Sequence, residues 1–139
     1  MIAADTSAMI GYLKDDPDPK IAAVESALAG QMLWLPPPVV TELRAGRAQH
    51  PKLDLLLSDA PTLPLMDGFW DRAGTTRRVL LLKGLRARTV DALIAQCCID
   101  ADVPLIALDS DFRHFEAHCG LRLAQVGAGL RPPAPPSAS

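Results

Sequence analysis

The sequence predicts a doubly wound α/β domain: three layers (α/β/α), with helices on both faces of a mainly parallel central sheet of about five strands. Three observations carry this. Short apolar runs alternate along the chain with segments of helical periodicity, the pattern of strand–helix–strand units. The strongest run, residues 103–108, is almost wholly apolar, as a strand covered on both faces must be. Two of the runs end in an acid. Asp5 closes Met1-Ile2-Ala3-Ala4, and Asp109 closes residues 103–108. In an open parallel sheet, ligands bind outside the carboxyl ends of strands where the strand order reverses, so acids there belong to a site.

The elements follow in order. Residues 2–4 form a short buried strand, and Thr6 or Ser7 caps a helix running to about residue 14. Asp15-Asp16-Pro17-Asp18-Pro19 is a turn. A helix over residues 20–29 sets Ile21, Val24 and Leu28 on one side and stops at Gly30. Residues 32–35 make a second strand. Pro36-Pro37-Pro38 opens a helix with Val39, Leu43 and Gly46 on one side and Glu42 at the edge of that face. A short helix covers residues 51–58, and residues 62–65 are a third strand. Asp67 caps a helix reaching residue 83, which offers Phe69, Trp70, Ala73, Val79 and Leu80 to the core; Gly84 ends it. Thr89 caps the next helix, where Val90, Leu93, Ile94, Cys97 and Ala101 keep an amphipathic spacing and Asp91 falls in the first turn. A last strand is expected over residues 122–126.

Composition narrows the function classes. A chain of 139 residues suits one domain, placed at residues 1–128; residues 129–139 are a Pro/Ala/Ser-rich tail expected to be disordered. Aromatic residues make up only 4%, so a base-stacking platform is a poor expectation. The net charge of −2 excludes a global basic footprint, and any nucleic-acid contact must come from a local patch with a metal ion. Three cysteines, Cys97, Cys98 and Cys119, form no C-x-x-C pair and read as inert thiols. The start lacks a signal-peptide pattern, and no apolar stretch approaches the roughly 20 residues of a membrane span. The expected location is cytoplasmic.

Asp5, Glu42, Asp91 and Asp109 each have an ordinary reading. Asp91 can complement a helix dipole, and Asp5 can be a turn residue. Their joint placement, at strand ends and on helix edges beside apolar faces, points instead to one oxygen-lined pocket. Oxygen donors suit Mg²⁺ or Mn²⁺. Closely set carboxylates repel one another, and a divalent cation relieves that repulsion.

The same residues resemble the motifs of a known family. Asp5-Thr6-Ser7 after an apolar strand looks like the opening of a PIN domain. Val39-Val40-Thr41-Glu42-Leu43, Val90-Asp91-Ala92-Leu93-Ile94-Ala95 and Leu108-Asp109-Ser110-Asp111-Phe112 resemble its second, third and fourth acidic motifs, in order, over residues 1–126. The small size is similar to the VapC-like toxin branch. The resemblance implies a PIN-like fold, a Mg²⁺- or Mn²⁺-dependent endoribonuclease, a homodimer and a cognate antitoxin. It implies Asp5, Glu42, Asp91 and Asp109 as the catalytic, metal-binding quartet. Asp111 would be a fifth, metal-binding or orienting acid, and Thr6 and Ser7 would be partners that fix Asp5. One departure is that Ala107-Leu108 stands where many relatives have a Thr-Arg-like pair.

No acid occurs between Asp71 and Asp91, yet six basic residues do. Such a run is either a solvated helix face or an RNA-backbone contact. Because it leads into Asp91, Arg77, Arg78, Lys83, Arg86 and Arg88 are the candidates for binding RNA phosphates. Arg44 and Arg47, near Glu42, can serve RNA or an inhibitory partner. Ile10, Tyr12 and Leu13 are apolar residues available to a dimer. Three rival readings remain. Residues 105–111 also look like the Asp-x-Asp motif of a haloacid-dehalogenase-like phosphatase, with Asp109 as nucleophile and Asp111 as acid. A non-catalytic PIN-like binding module would keep the same acids. His114 and His118, four apart, have a zinc spacing without a third ligand.

Overall fold

Strands β1 (Ile2–Ala4), β2 (Leu33–Trp34) and β3 (Leu105–Ile106) run parallel in the order β2-β1-β3. They belong to a computed structural model that describes residues 1–47 and 49–125. The predicted tail and Val126 lie outside the described residues. Ile2 pairs with Leu33 and Ala3 with Trp34; on the other side, Ala3 pairs with Leu105 and Ala4 with Ile106. Single parallel bridges, Leu35 to Thr62 and Leu105 to Leu123, extend the sheet to five positions. The two outer strands expected at 62–65 and 122–126 are therefore one bridge each. At the first of them, Pro61 and Pro64 flank the bridge, and proline cannot donate to a ladder.

The helices are α1 (Thr6–Leu13), α2 (Pro19–Ala29), α3 (Pro37–Ala45), α4 (Leu53–Asp59), α5 (Phe69–Leu82), α6 (Thr89–Ala101) and α7 (Phe112–Cys119). Helices α1 and α2 pack together, and α2 also meets β2 and β3; α5, α6 and α7 form a second group, and α3 touches both α1 and α6. The sheet lies between them, and Met9, Leu33, Leu35, Leu63, Leu80, Ile94, Leu105, Ile106, Phe69, Phe112 and Phe115 are fully buried. Each such side chain contributes about 1.5–3 kcal/mol of burial. Among the described residues, no helix is long and apolar enough to cross a membrane.

Several local expectations are corrected. The cap of α1 is Asp5, not Thr6 or Ser7: its backbone is extended and its carboxylate accepts from the Ala8 amide. Helix α2 does stop at Gly30, its C-cap, but the left-handed residue is the next one, Gln31 (φ 55°), and Met32 N–H bonds to the Ala27 carbonyl. Helix α5 is entered through Gly68 (φ 78°) rather than capped by the Asp67 side chain, and the Asp67 backbone carbonyl accepts from Arg72 Nη1. Trp70 is 65% exposed and Val79 36%, so only Phe69, Ala73 and Leu80 of that helix's proposed core residues are buried. The cap position of α6 is held by Arg88, one residue before Thr89.

Helices α5 and α6 are joined by a polar chain. Thr76 Oγ1 donates to the buried Gln96, Gln96 Nε2 donates to Asp100, and Arg72 grips Asp100 with two nitrogens. That grip holds the Asp100 carboxyl below the usual range. The chain fixes α6, and therefore Asp91, against α5.

Candidate active site

The strand order 2-1-3 makes the gap between β1 and β3 the switch point of the sheet, where successive connections leave in opposite directions. Asp5 follows β1 and Asp109 follows β3, so both acids stand at that gap. The Asp109 amide faces Asp5 Oδ2 at 3.5 Å, and Asp5 Oδ1 accepts from Ala8 N at 2.7 Å. Asp5 is only 1% exposed. Burial pushes its carboxyl up from 3.8 to about 6, against the pull of the backbone amides.

The other acids arrive on helices. Asp91 is buried in the first turn of α6, and burial raises its carboxyl although Arg88 bonds to it. Asp111 N–H donates to Asp109 Oδ1 at 2.9 Å, which turns the two carboxylates toward a shared face. One carboxylate oxygen each from Asp91, Asp109 and Asp111 lie within 4.8 Å of one another, the only such metal-competent group among the described residues. Glu42 on α3 accepts a short hydrogen bond from Thr6 Oγ1, and its charge is felt at Asp91 and Arg88. Thr6 thus fixes Glu42 rather than Asp5, and Ser7 is exposed; backbone amides hold Asp5 instead.

The donor set fits a hard divalent cation. Every donor is a carboxylate oxygen, and burial raises the carboxyls of both Asp5 and Asp91, the latter in spite of its bonds to Arg88. His114 and His118 ride on α7 outside this group, and Cys97, Cys98 and Cys119 are free thiols. For Cys98, deep burial pushes the thiol far up, as an inert core residue requires.

The basic run divides. Arg88 Nε and Nη2 bond to Asp91 at 3.0 and 3.1 Å, and Nη2 also reaches Asp109 at 3.1 Å. Arg86 Nε lies 3.3 Å from Asp111. Arg77 is half-buried and donates to the Ala87 carbonyl at 2.7 Å, which ties down the loop between those two arginines. Arg78 and Lys83 are exposed. Beside Glu42, a 430 Å³ groove includes Ile10, Leu43, Arg47 and Leu53, and a 280 Å³ groove includes Leu65, Phe69, Trp70 and Val90. Two features escaped the sequence reading. Lys20 Nζ reaches the Ala107 carbonyl at 2.8 Å and steadies the segment leading to Asp109. Trp70 stands exposed beside the site. Neither has a local signal, since the Lys20 contact spans 87 positions.

A parallel α/β sheet with an oxygen-only acidic site at its switch point defines the class of protein. The chain belongs to the PIN domain family, whose model matches residues 2–117. Among solved structures it is similar to a chain in the crystal structure of VapBC2 from Rickettsia felis bound to a DNA fragment from their promoter. The TM-score is 0.69 and the identity 22%, over 89% of this chain and 98% of that one. That likeness supports the fold. No curated protein matches. The family match sets aside the phosphatase reading of Asp109 and Asp111.

Proposed function

We propose that this chain is a Mg²⁺- or Mn²⁺-dependent endoribonuclease of the VapC-like toxin type, cytoplasmic and restrained by a cognate antitoxin. The observation that carries the enzymatic part is the gathering of Asp91, Asp109 and Asp111 oxygens within 4.8 Å beside the buried Asp5. Asp91, Asp109 and Asp111 would hold the cation, Asp5 would complete its negative surroundings, and Glu42, braced by Thr6, would face the same space. A divalent cation bound there lowers the pKa of its water and neutralises charge on the phosphate. The chain's own part is to fix the acids: Ala8 and Asp109 amides orient Asp5, and Asp111 N–H orients Asp109. Exposed Arg78, Lys83, Arg86 and Arg88 would bind flanking phosphates without reading sequence.

The toxin part rests on the family, on the VapBC2 likeness and on the two grooves flanking Glu42, where apolar side chains and Arg47 suit an inhibitory segment. A homodimer is part of the same proposal, with exposed Ile10 on α1 in the contact. The test incubates purified protein with a fluorogenic RNA in Mg²⁺, Mn²⁺ or chelator, beside Asp5→Asn. Cleavage that needs the metal and Asp5 supports the proposal. A folded wild type that binds RNA or protein but never cleaves would favour the binding-module reading. Expression alone, then with the neighbouring gene, tests the toxin: arrested growth relieved by the neighbour is expected.

A further inference from the structure

The acids of the site already have a cation, and it is a side chain. Arg88 presents Nε and Nη2 to the two oxygens of Asp91 and shares Nη2 with Asp109 Oδ2, all at 3.0–3.1 Å. Two of the three carboxylates whose oxygens converge within 4.8 Å are thus bridged by one planar fork, and Arg86 stands against the third. A guanidinium and a divalent cation cannot both sit close to these oxygens without strong mutual repulsion.

The geometry allows exchange by rotation of one side chain. The Arg88 side chain is 54% exposed, and it makes no capping hydrogen bond to α6. Swinging it outward therefore removes no capping bond from α6 and gives up only the pairs with Asp91 and Asp109, which a divalent cation would replace. The preceding backbone is anchored: Gly84 (φ 74°) ends α5 with Leu85 N–H on the Leu80 carbonyl, and Arg77 holds the Ala87 carbonyl. The loop stays in place while the guanidinium moves.

We propose that Arg88 is a resident counter-cation of the acid site, which pairs with Asp91 and Asp109 until a divalent cation takes their oxygens. Arg88 then turns to the rim, where it meets a substrate phosphate. It is a positioning residue whose partner changes from carboxylate to phosphate with metal loading. The inference rests on the reading of these acids as a cation site. The expected consequence is that Arg88 lowers the apparent affinity for the cation while offsetting part of the negative charge of the metal-free site.

Isothermal titration of the full chain with Mn²⁺ alone tests this. Arg88→Gln should bind Mn²⁺ on the order of tenfold more tightly than wild type, the worth of about one charge-assisted hydrogen bond. Arg88→Lys should fall between, because an ammonium cannot bridge both acids as a fork. Arg122→Gln, which removes an equal charge from an exposed pair with Asp102, should match wild type. Unchanged or weaker Mn²⁺ binding in Arg88→Gln would overturn the inference and make Arg88 a brace for Asp91. If circular dichroism shows Arg88→Gln unfolded, Arg88→Lys decides on the same criterion. Wild type and all variants failing to bind Mn²⁺ would overturn the cation-site reading itself, and the inference with it.

Discussion

Asp5→Asn should make the metal-free protein more stable while removing the metal-dependent RNA cleavage proposed above. Burial raises the Asp5 carboxyl from 3.8 to about 6. Between those values the folded state binds more protons than the unfolded state, so stability falls as pH rises. The stability linked to Asp5 is fully present below pH 3.8 and lost as pH passes 6. At about 1.4 kcal/mol per unit, roughly 3 kcal/mol has gone by pH 7.5. Asparagine has the same shape and caps a helix as well as aspartate, so the Ala8 bond at 2.7 Å survives. The 3.5 Å contact from Asp109 N is the weaker one, and losing it costs about 1 kcal/mol or less. The net gain is about 2 kcal/mol, or roughly 5–8 °C in Tm for a chain of this size. Thermal melts in chelator from pH 4 to 8 measure it: the gain should be clear at pH 7.5 and absent near pH 4. In excess Mn²⁺ the order should narrow or reverse, because wild type, with Asp5 completing the negative surroundings, gains more binding free energy than the variant, about 2.7 kcal/mol at a hundred times its Kd. A variant that melts no higher than wild type at pH 7.5 in chelator, or whose gain does not shrink on acidification, would refute an uncompensated charge at Asp5.

Other perturbations probe the scaffold. Gln96→Ala strips Thr76 and Asp100 of their buried partner and should cost about 1–3 kcal/mol in urea unfolding; a change under 0.5 kcal/mol, within the usual range for surface substitutions, would mean the α5–α6 chain is not structural. Gln31→Gly relieves a left-handed residue (φ 55°) and should stabilise by up to about 1 kcal/mol, unless the greater freedom of glycine in the unfolded chain cancels it, which an unchanged urea midpoint would reveal. Light scattering at micromolar concentration should give a homodimer, and Ile10→Asp should dissociate it; a stable wild-type monomer would remove the dimer from the proposal.

The acids at the strand ends were legible because their signal is local. An apolar run that stops at Asp5 or Asp109 says where a buried strand ends, and a parallel sheet puts such ends on one edge. Asp91 was legible because the amphipathic spacing from Val90 to Ala101 fixes where its helix begins. Caps were less legible. Asp5, Thr6 and Ser7 are all competent caps, and only the backbone path after β1 chose Asp5, which then holds α1 and the site with one carboxylate. Trp70 shows the same limit. Phe69 and Trp70 are adjacent and both suit a core, but helical neighbours point about 100° apart, and only Phe69 is buried.

By itself, the sequence determined the three-layer α/β class, the order of its elements and the family, and it pointed to Asp5, Glu42, Asp91 and Asp109 as the candidate site acids. Tertiary structure alone decided how those acids are held and neutralised. Thr6 reaches Glu42 across 36 positions, Arg88 reaches Asp109 across 21, and Lys20 reaches the Ala107 carbonyl across 87. The physical reason is that apolar periodicity is written between neighbours along the chain, whereas a hydrogen bond or ion pair depends on distances of about 3 Å that exist only once the helices have docked on the sheet.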